Sequence, residues 1–169
     1  MYENYGDVVL FDGNDRFSKI IRLFNGQQYI HSGLLVDENT ASQLSRFGEE
    51  VLVNLLDSKD HDSCLILRHK KITSSDREML KKYYEEIVRN SGYDMLAIVK
   101  LGIRHKFGIK PDGKNILRNG RNICCSLDSL VYERLTGLPV LEGVHYSQTE
   151  PHHFLQSQHF EIARKIKLK

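Results

Sequence analysis

Cysteine and histidine are the residues through which this chain could do covalent chemistry, and two of them are well placed. Cys124 and Cys125 stand side by side at the head of the stretch NICCSLDSLVYERLTG, residues 122–137. Leu127, Leu130, Val131, Leu135 and Leu138 recur there at helical spacing, and Gly137 suits the end of a helix. A thiol in the first turn feels the positive end of the helix dipole, which favours thiolate, the nucleophilic form. Cys124 lies three residues before Leu127 and seven before Val131, so it shares the apolar face. Cys125 shares a more polar face with Asp128 and Tyr132. Free cysteine is also among the most buried residue types, so both could equally be small core residues. A nucleophilic thiol needs a base, and His31 opens the apolar run Tyr29–Val36. Sequence distance is no obstacle, because base and nucleophile need to meet only in the fold.

At 169 residues the chain has the length of one domain with its own core, and a single domain over 1–169 is expected. The net charge of +2 is too small to indicate nucleic acid by itself. Three cysteines, two of them adjacent, do not make a disulfide framework and fit a reducing compartment or a thiol enzyme. There are eight histidines but no Cys-x-x-Cys pair, no helical His-x-x-x-His pair and no Gly-rich phosphate loop. His152 and His153 are adjacent, a poor chelating arrangement on one element. No metal and no cofactor are therefore expected. The N-terminal residues lack the charged and apolar regions of a signal peptide, and no apolar run approaches 18 residues. The expectation is a cytoplasmic protein without a transmembrane segment.

The elements that must position these residues follow from periodicity. Asp7–Phe11 reads as a buried strand, with a turn at Asp12-Gly13-Asn14. Phe17, Ile20, Ile21 and Phe24 predict a helix closed by Asn25-Gly26, and Tyr29–Val36 a strand. Residues 38–50 read as a loop or loose hairpin, 51–56 as a strand, 57–63 as a turn and Cys64–Leu67 as a strand with Cys64 in the core. From Thr73 the period becomes helical, with Ser75 and Glu78 as a capping box and Met79, Leu80, Tyr83, Tyr84, Ile87 and Val88 as the stripe. An apolar segment follows at Met95–Ile103. After the cysteine helix, His145–Ser147 reads as a short strand. Phe160, Ile162, Ile166 and Leu168 alternate with polar residues in a terminal strand with a basic exposed face. This order predicts an α+β domain with an antiparallel sheet packed against helices.

The stretch 104–121 is distinctive. It holds Arg104, Lys106, Lys110, Lys114, Arg118 and Arg121 against one acid, Asp112. Such a loop either is simply solvated or attracts an anionic ligand or surface. Phe107 is its one aromatic, which argues against a groove for single-stranded nucleic acid.

Several pieces together resemble a known family. They are Gly6–Phe11, His31–Val36, Leu65–Arg68 before the long helix, Gly92-Tyr93-Asp94 after it, Cys124-Cys125-Ser126 before the late helix, and Pro151 to Phe160 before the last strand. In this order they resemble the permuted, papain-like branch of the NlpC superfamily, which includes the YiiX-like and lecithin:retinol acyltransferase-like hydrolases. In ordinary papain-like chains the cysteine precedes the histidine, whereas here His31 comes first. The resemblance spans nearly the whole chain. It implies a circularly permuted papain-like fold and a cysteine peptidase, amidase or acyl hydrolase or transferase. The substrate would be a peptide or acyl lipid carrying an amide, ester or thioester. Turnover would pass through a thioester acyl-enzyme with His31 as base, then acid. A member without turnover would instead bind a peptide, lipid or protein.

Two positions depart from the family pattern. The Cys-Ser dipeptide matches Cys125-Ser126, but the helical phase matches Cys124, and phase favours Cys124 as the nucleophile with Cys125 as the alternative. The family also places a polar residue after the histidine to orient it, and Gln43 and Asn54 are the candidates here.

Overall fold

The computed structural model describes residues 3–45, 47–57 and 61–167. The side chains of Phe17 and Phe24, residues 58–60 of the expected turn, and Leu168 lie outside what it describes. Its frame is a six-stranded antiparallel sheet. The strands are β1 (Val8–Gly13), β2 (His31–Leu35), β3 (Thr40–Leu44), β4 (Glu50–Asn54), β5 (His61–His69) and β8 (Phe160–Lys167), in the spatial order β4-β3-β2-β1-β5-β8. A second, two-stranded parallel pair joins β6 (Gly92–Tyr93) to β7 (Arg121–Asn122). The helices are α1 (Arg16–Asn25), α2 (Ser74–Arg89), α3 (Met95–Lys106), α4 (Cys124–Thr136) and α5 (Pro151–Gln156).

Strand alternation divides the core between two faces. Val8, Leu10, Leu34, Leu65 and Leu67 pack with Leu80 and Tyr84 of α2 and Leu127 and Val131 of α4. Val9, Phe11, Leu35, Cys64 and Ile66 form the smaller cluster on the opposite face. Cys64 is fully buried, as expected, and burial pushes its thiol up to about 11. The α4 helix lies on β2 and beside α2. Tyr132 ties it to the entry of β1 by donating its hydroxyl proton to the Gly6 carbonyl. Asp7 adds a second tie: it receives Arg77 of α2 and Arg68 of β5, each at 2.9 Å.

Several expectations change in detail. The loose hairpin at 38–50 contains the ordered strand β3, whose backbone pairs with both β2 and β4. The α2 capping box is formed by Thr73 and Asp76 rather than Ser75 and Glu78, because Thr73 has the extended backbone of an N-cap. Tyr146–Gln148 is a 3-10 turn and not a strand. β8 is an edge strand, so even Ile162 is exposed. The basic stretch is tied down: α3 runs to Lys106, Arg104 pairs with Asp112 at 3.0 Å, and Arg118 pairs with buried Asp94 at 3.0 Å. Among the described residues, no helix is long and apolar enough to cross a membrane.

Candidate active site

The N-terminus of α4 has an apolar residue, Ile123, at its N-cap. Isoleucine offers no side-chain oxygen, so the first-turn amides of α4 have no side-chain cap. Cys124 and Cys125 occupy the first two helical positions, with their sulfurs 3.7 Å apart. Neither faces water: Cys124 is 6% exposed and Cys125 2%. The whole run Cys124–Ser129 is buried, including Asp128. The polar face inferred for Cys125 is therefore an interior one, because β2 covers it.

Strand alternation places His31 and Gly33 on one side of β2 and Ser32 on the other. Ser32 meets α4: its Oγ lies 3.2 Å from Cys125 Sγ and 2.5 Å from Asp128 Oδ2. One hydroxyl has one proton, so these contacts form a chain in which Ser32 donates to one neighbour and accepts from the other. Burial raises the Asp128 carboxyl to about 8, which keeps it protonated at neutral pH. Burial likewise pushes the Cys125 thiol well above its ordinary value, and the neighbouring Cys124 adds to this.

Cys124 behaves in the opposite way. A hydrogen bond from Cys125 lowers its pKa first, against the cost of burial, and His31 lowers it further by charge and hydrogen bonding. The Ser32 backbone N–H also favours its thiolate. His31 is raised above its ordinary value although burial alone would lower it, because the Cys124 charge and hydrogen bond, Asp128 and Gln43 outweigh desolvation. Phe11, its register partner on β1, packs beside the imidazole with ring centroids 6.0 Å apart. Tyr93 closes another side. Burial and then the two thiols raise its phenol well above the ordinary range.

The structure brings Cys124, Cys125, His31 and Gln43 together and leaves Asn54 out. Gln43, on β3, reaches this group because Gly33 lies beside it; a Cβ on Gly33 would come within 2.4 Å of the Ser42 carbonyl and 3.1 Å of the Gln43 Cβ. The Gln43 amide favours the protonated form of His31. Its Oε1 is buried and finds no other hydrogen-bond partner. Asn54 is exposed at the end of β4, opposite Thr40, where its Oδ1 caps the Leu56 N–H at 2.8 Å. Strand order puts it beyond the other end of β2. Sequence reasoning missed Ser32 and Asp128. The available signal for Asp128 is its place on the polar helical face that it shares with Cys125.

A second group of donor atoms lies elsewhere. One atom from each of His105, Glu150 and His152 lies within 4.8 Å of the other two. His105 Nε2 is 2.9 and 2.8 Å from the two Glu150 oxygens. Neither this cleft nor a second one by Tyr5 and Tyr84 is lined by Cys124 or His31.

No protein-family model and no curated protein matches the sequence. Solved structures do match the fold. One is the crystal structure of the metalloprotein YiiX from Escherichia coli O157:H7. It has a TM-score of 0.66 and 15% identity, and the alignment covers 99% of each chain. The chain therefore has the fold of YiiX.

Proposed function

We propose that the chain is a cysteine hydrolase or acyltransferase of the permuted papain-like, NlpC-type kind, with Cys124 as nucleophile and His31 as general base and acid. One observation carries this reading: Cys124 and His31 shift each other's proton affinity in opposite directions, towards thiolate and imidazolium. Cys125 is pushed the other way, which makes it a proton donor to its neighbour and a poor nucleophile.

The thiolate attacks the carbonyl carbon of an amide, ester or thioester, forming a carbon–sulfur bond and placing the electron pair on oxygen. The uncapped amides of α4 are available to that oxyanion. As the carbon–leaving-group bond breaks, the His31 imidazolium donates its proton to the departing amine, alcohol or thiol. Neutral His31 then takes a proton from water or another acceptor. The acceptor attacks the thioester and Cys124 leaves as thiolate. Gln43 positions the imidazole.

YiiX is described as a metalloprotein. In this chain the residues that fit a divalent metal are His105, Glu150 and His152, where a bound cation would polarise a water or carbonyl oxygen. The thiol steps are not routed through them. A second reading is a family member that binds a peptide, lipid or protein without turnover. The low exposure of Cys124 favours it.

Iodoacetamide labelling at pH 6 and pH 8, read by peptide mass spectrometry, separates the two. The catalytic reading expects Cys124 to be labelled ahead of Cys125 and Cys64 at pH 6, with the rate falling at least about tenfold in His31→Ala. Labelling no faster than an ordinary thiol, or unchanged by His31→Ala, would overturn it in favour of the binding reading.

A further inference from the structure

The strongest chemistry outside the thiol site is the donor set at the end of α3. His105 lies in the last turn of that helix, where the dipole favours a cation. Glu150 and His152 stand at the start of α5, 45 or more residues further along the chain. All three line an open cleft of about 170 Å³. They share no residue with the Cys124 site.

The details favour a ligand here over a chance cluster. His105 faces both Glu150 oxygens at hydrogen-bond distance. His153, by contrast, is committed: its Nδ1 accepts the Glu150 backbone N–H at 3.1 Å and caps the turn. His152 is the opposite case, since its Nδ1 is buried and has no hydrogen-bond partner. A buried ring nitrogen without a partner is costly unless something fills it.

We propose that His105, Glu150 and His152 bind a zinc-class divalent cation through three protein ligands, with a fourth position open to the cleft. Two imidazoles and one carboxylate form a known zinc donor set, and imidazole selects zinc-like ions over magnesium and calcium. Donors on a tetrahedral zinc stand about 3.3 Å apart, given bonds of about 2.0 Å. The His105 and Glu150 donors, at 2.8 and 2.9 Å, would part slightly, and the His152 donor, within 4.8 Å of both, would close towards them. The bound ion keeps one positive charge after Glu150, and Arg104 and Lys110 also line the cleft. Those charges suit water or a small oxyanion as the fourth ligand. The ion would fasten α3 to the start of α5.

The thiols could also capture zinc, so the test is made on the Cys124→Ser/Cys125→Ser protein. Metal-free protein is titrated with ZnCl2 and, separately, MgCl2 by calorimetry. The cobalt-substituted protein is examined by visible spectroscopy and the zinc-substituted protein by zinc-edge X-ray absorption. The expected result is one zinc per chain, no measurable magnesium binding, and nitrogen and oxygen ligands only. Affinity falls at least about tenfold in His152→Ala and in Glu150→Gln. The proposal is overturned if the thiol-free protein binds no zinc, or if either variant binds it unchanged. Should a variant misfold by circular dichroism, the spectra of the unmutated site decide. Fewer than two imidazoles in the zinc shell would overturn the proposal.

Discussion

The thiol site and the His105–Glu150–His152 cleft both gather titratable groups, but they are built differently. The thiol site sits where β2 meets the first turn of α4. Its backbone is held by sheet hydrogen bonds, and Cys124, Cys125, Ser32 and Asp128 are all buried. There the Cys125 hydrogen bond and His31 lower the Cys124 thiol against the cost of burial, while burial and Cys124 raise the Cys125 thiol. The cleft is open and its donors come from the ends of two helices. It relies on ligand-type side chains rather than on exclusion of water. In this fold, proton affinities are tuned where the sheet covers the helix, whereas a bound ion would supply the charge where it does not.

The sharpest test of that contrast is asymmetry between the two thiols. With a chromogenic ester or thioester substrate, Cys124→Ser should lose about a thousandfold or more in turnover, whereas Cys125→Ser should retain most of it. Equal losses would mean that the two thiols are not divided as described.

A smaller effect is expected from Gln43→Ala. Turnover should fall about tenfold, and the alkaline limb of the pH–rate profile should move to lower pH as the support for the His31 imidazolium is lost. A plain loss of stability would leave that limb in place. Recovery of the profile in Gln43→Glu would confirm that a side-chain acceptor at this position supports the ring.

The smallest effect concerns Asp128. Its carboxyl holds a proton up to about pH 8 in the fold but releases it near 3.8 when unfolded. Between those values the folded state binds more protons, so the contribution of Asp128 to stability falls as pH rises from about 4 to 8. His31 works in the same sense: its charge helps below its ordinary value, and the benefit is lost as pH rises through its higher folded value. Asp128→Asn removes only the first of these. Its melting temperature at pH 8 relative to pH 5 should improve on wild type by about 5 °C. An unchanged difference would mean that Asp128 is already ionised in the fold.

Much of this architecture was legible because its signals are local. Short apolar runs marked β1 and β2, alternation marked β8, a 3.6-residue period marked α2 and α4, and His31 and the cysteines lay at the heads of two such elements. The choice of Cys124 over Cys125 rests on helical phase. Other features depended on contacts between distant residues. Glu38–Glu50 looked like a loop because polar Ser42 and Gln43 interrupt any apolar pattern. In the fold, Ser42 bonds Tyr84 at 2.7 Å and Gln43 lies by His31. Gln43 and Asn54 were equivalent as amides, and only strand order separated them.

By itself the sequence determined the elements and the types of chemistry available to them, because periodicity and capping act over a few residues. Tertiary structure alone decided which polar side chains share a site. Ser32 and Asp128 meet across 96 residues, and His105 and Glu150 across 45. Such contacts leave no spacing rule behind. Desolvation, which raises the Cys125 thiol and the Asp128 carboxyl, and the Cys125 and His31 contacts that lower Cys124 belong to the packed interior and have no counterpart in the unfolded chain.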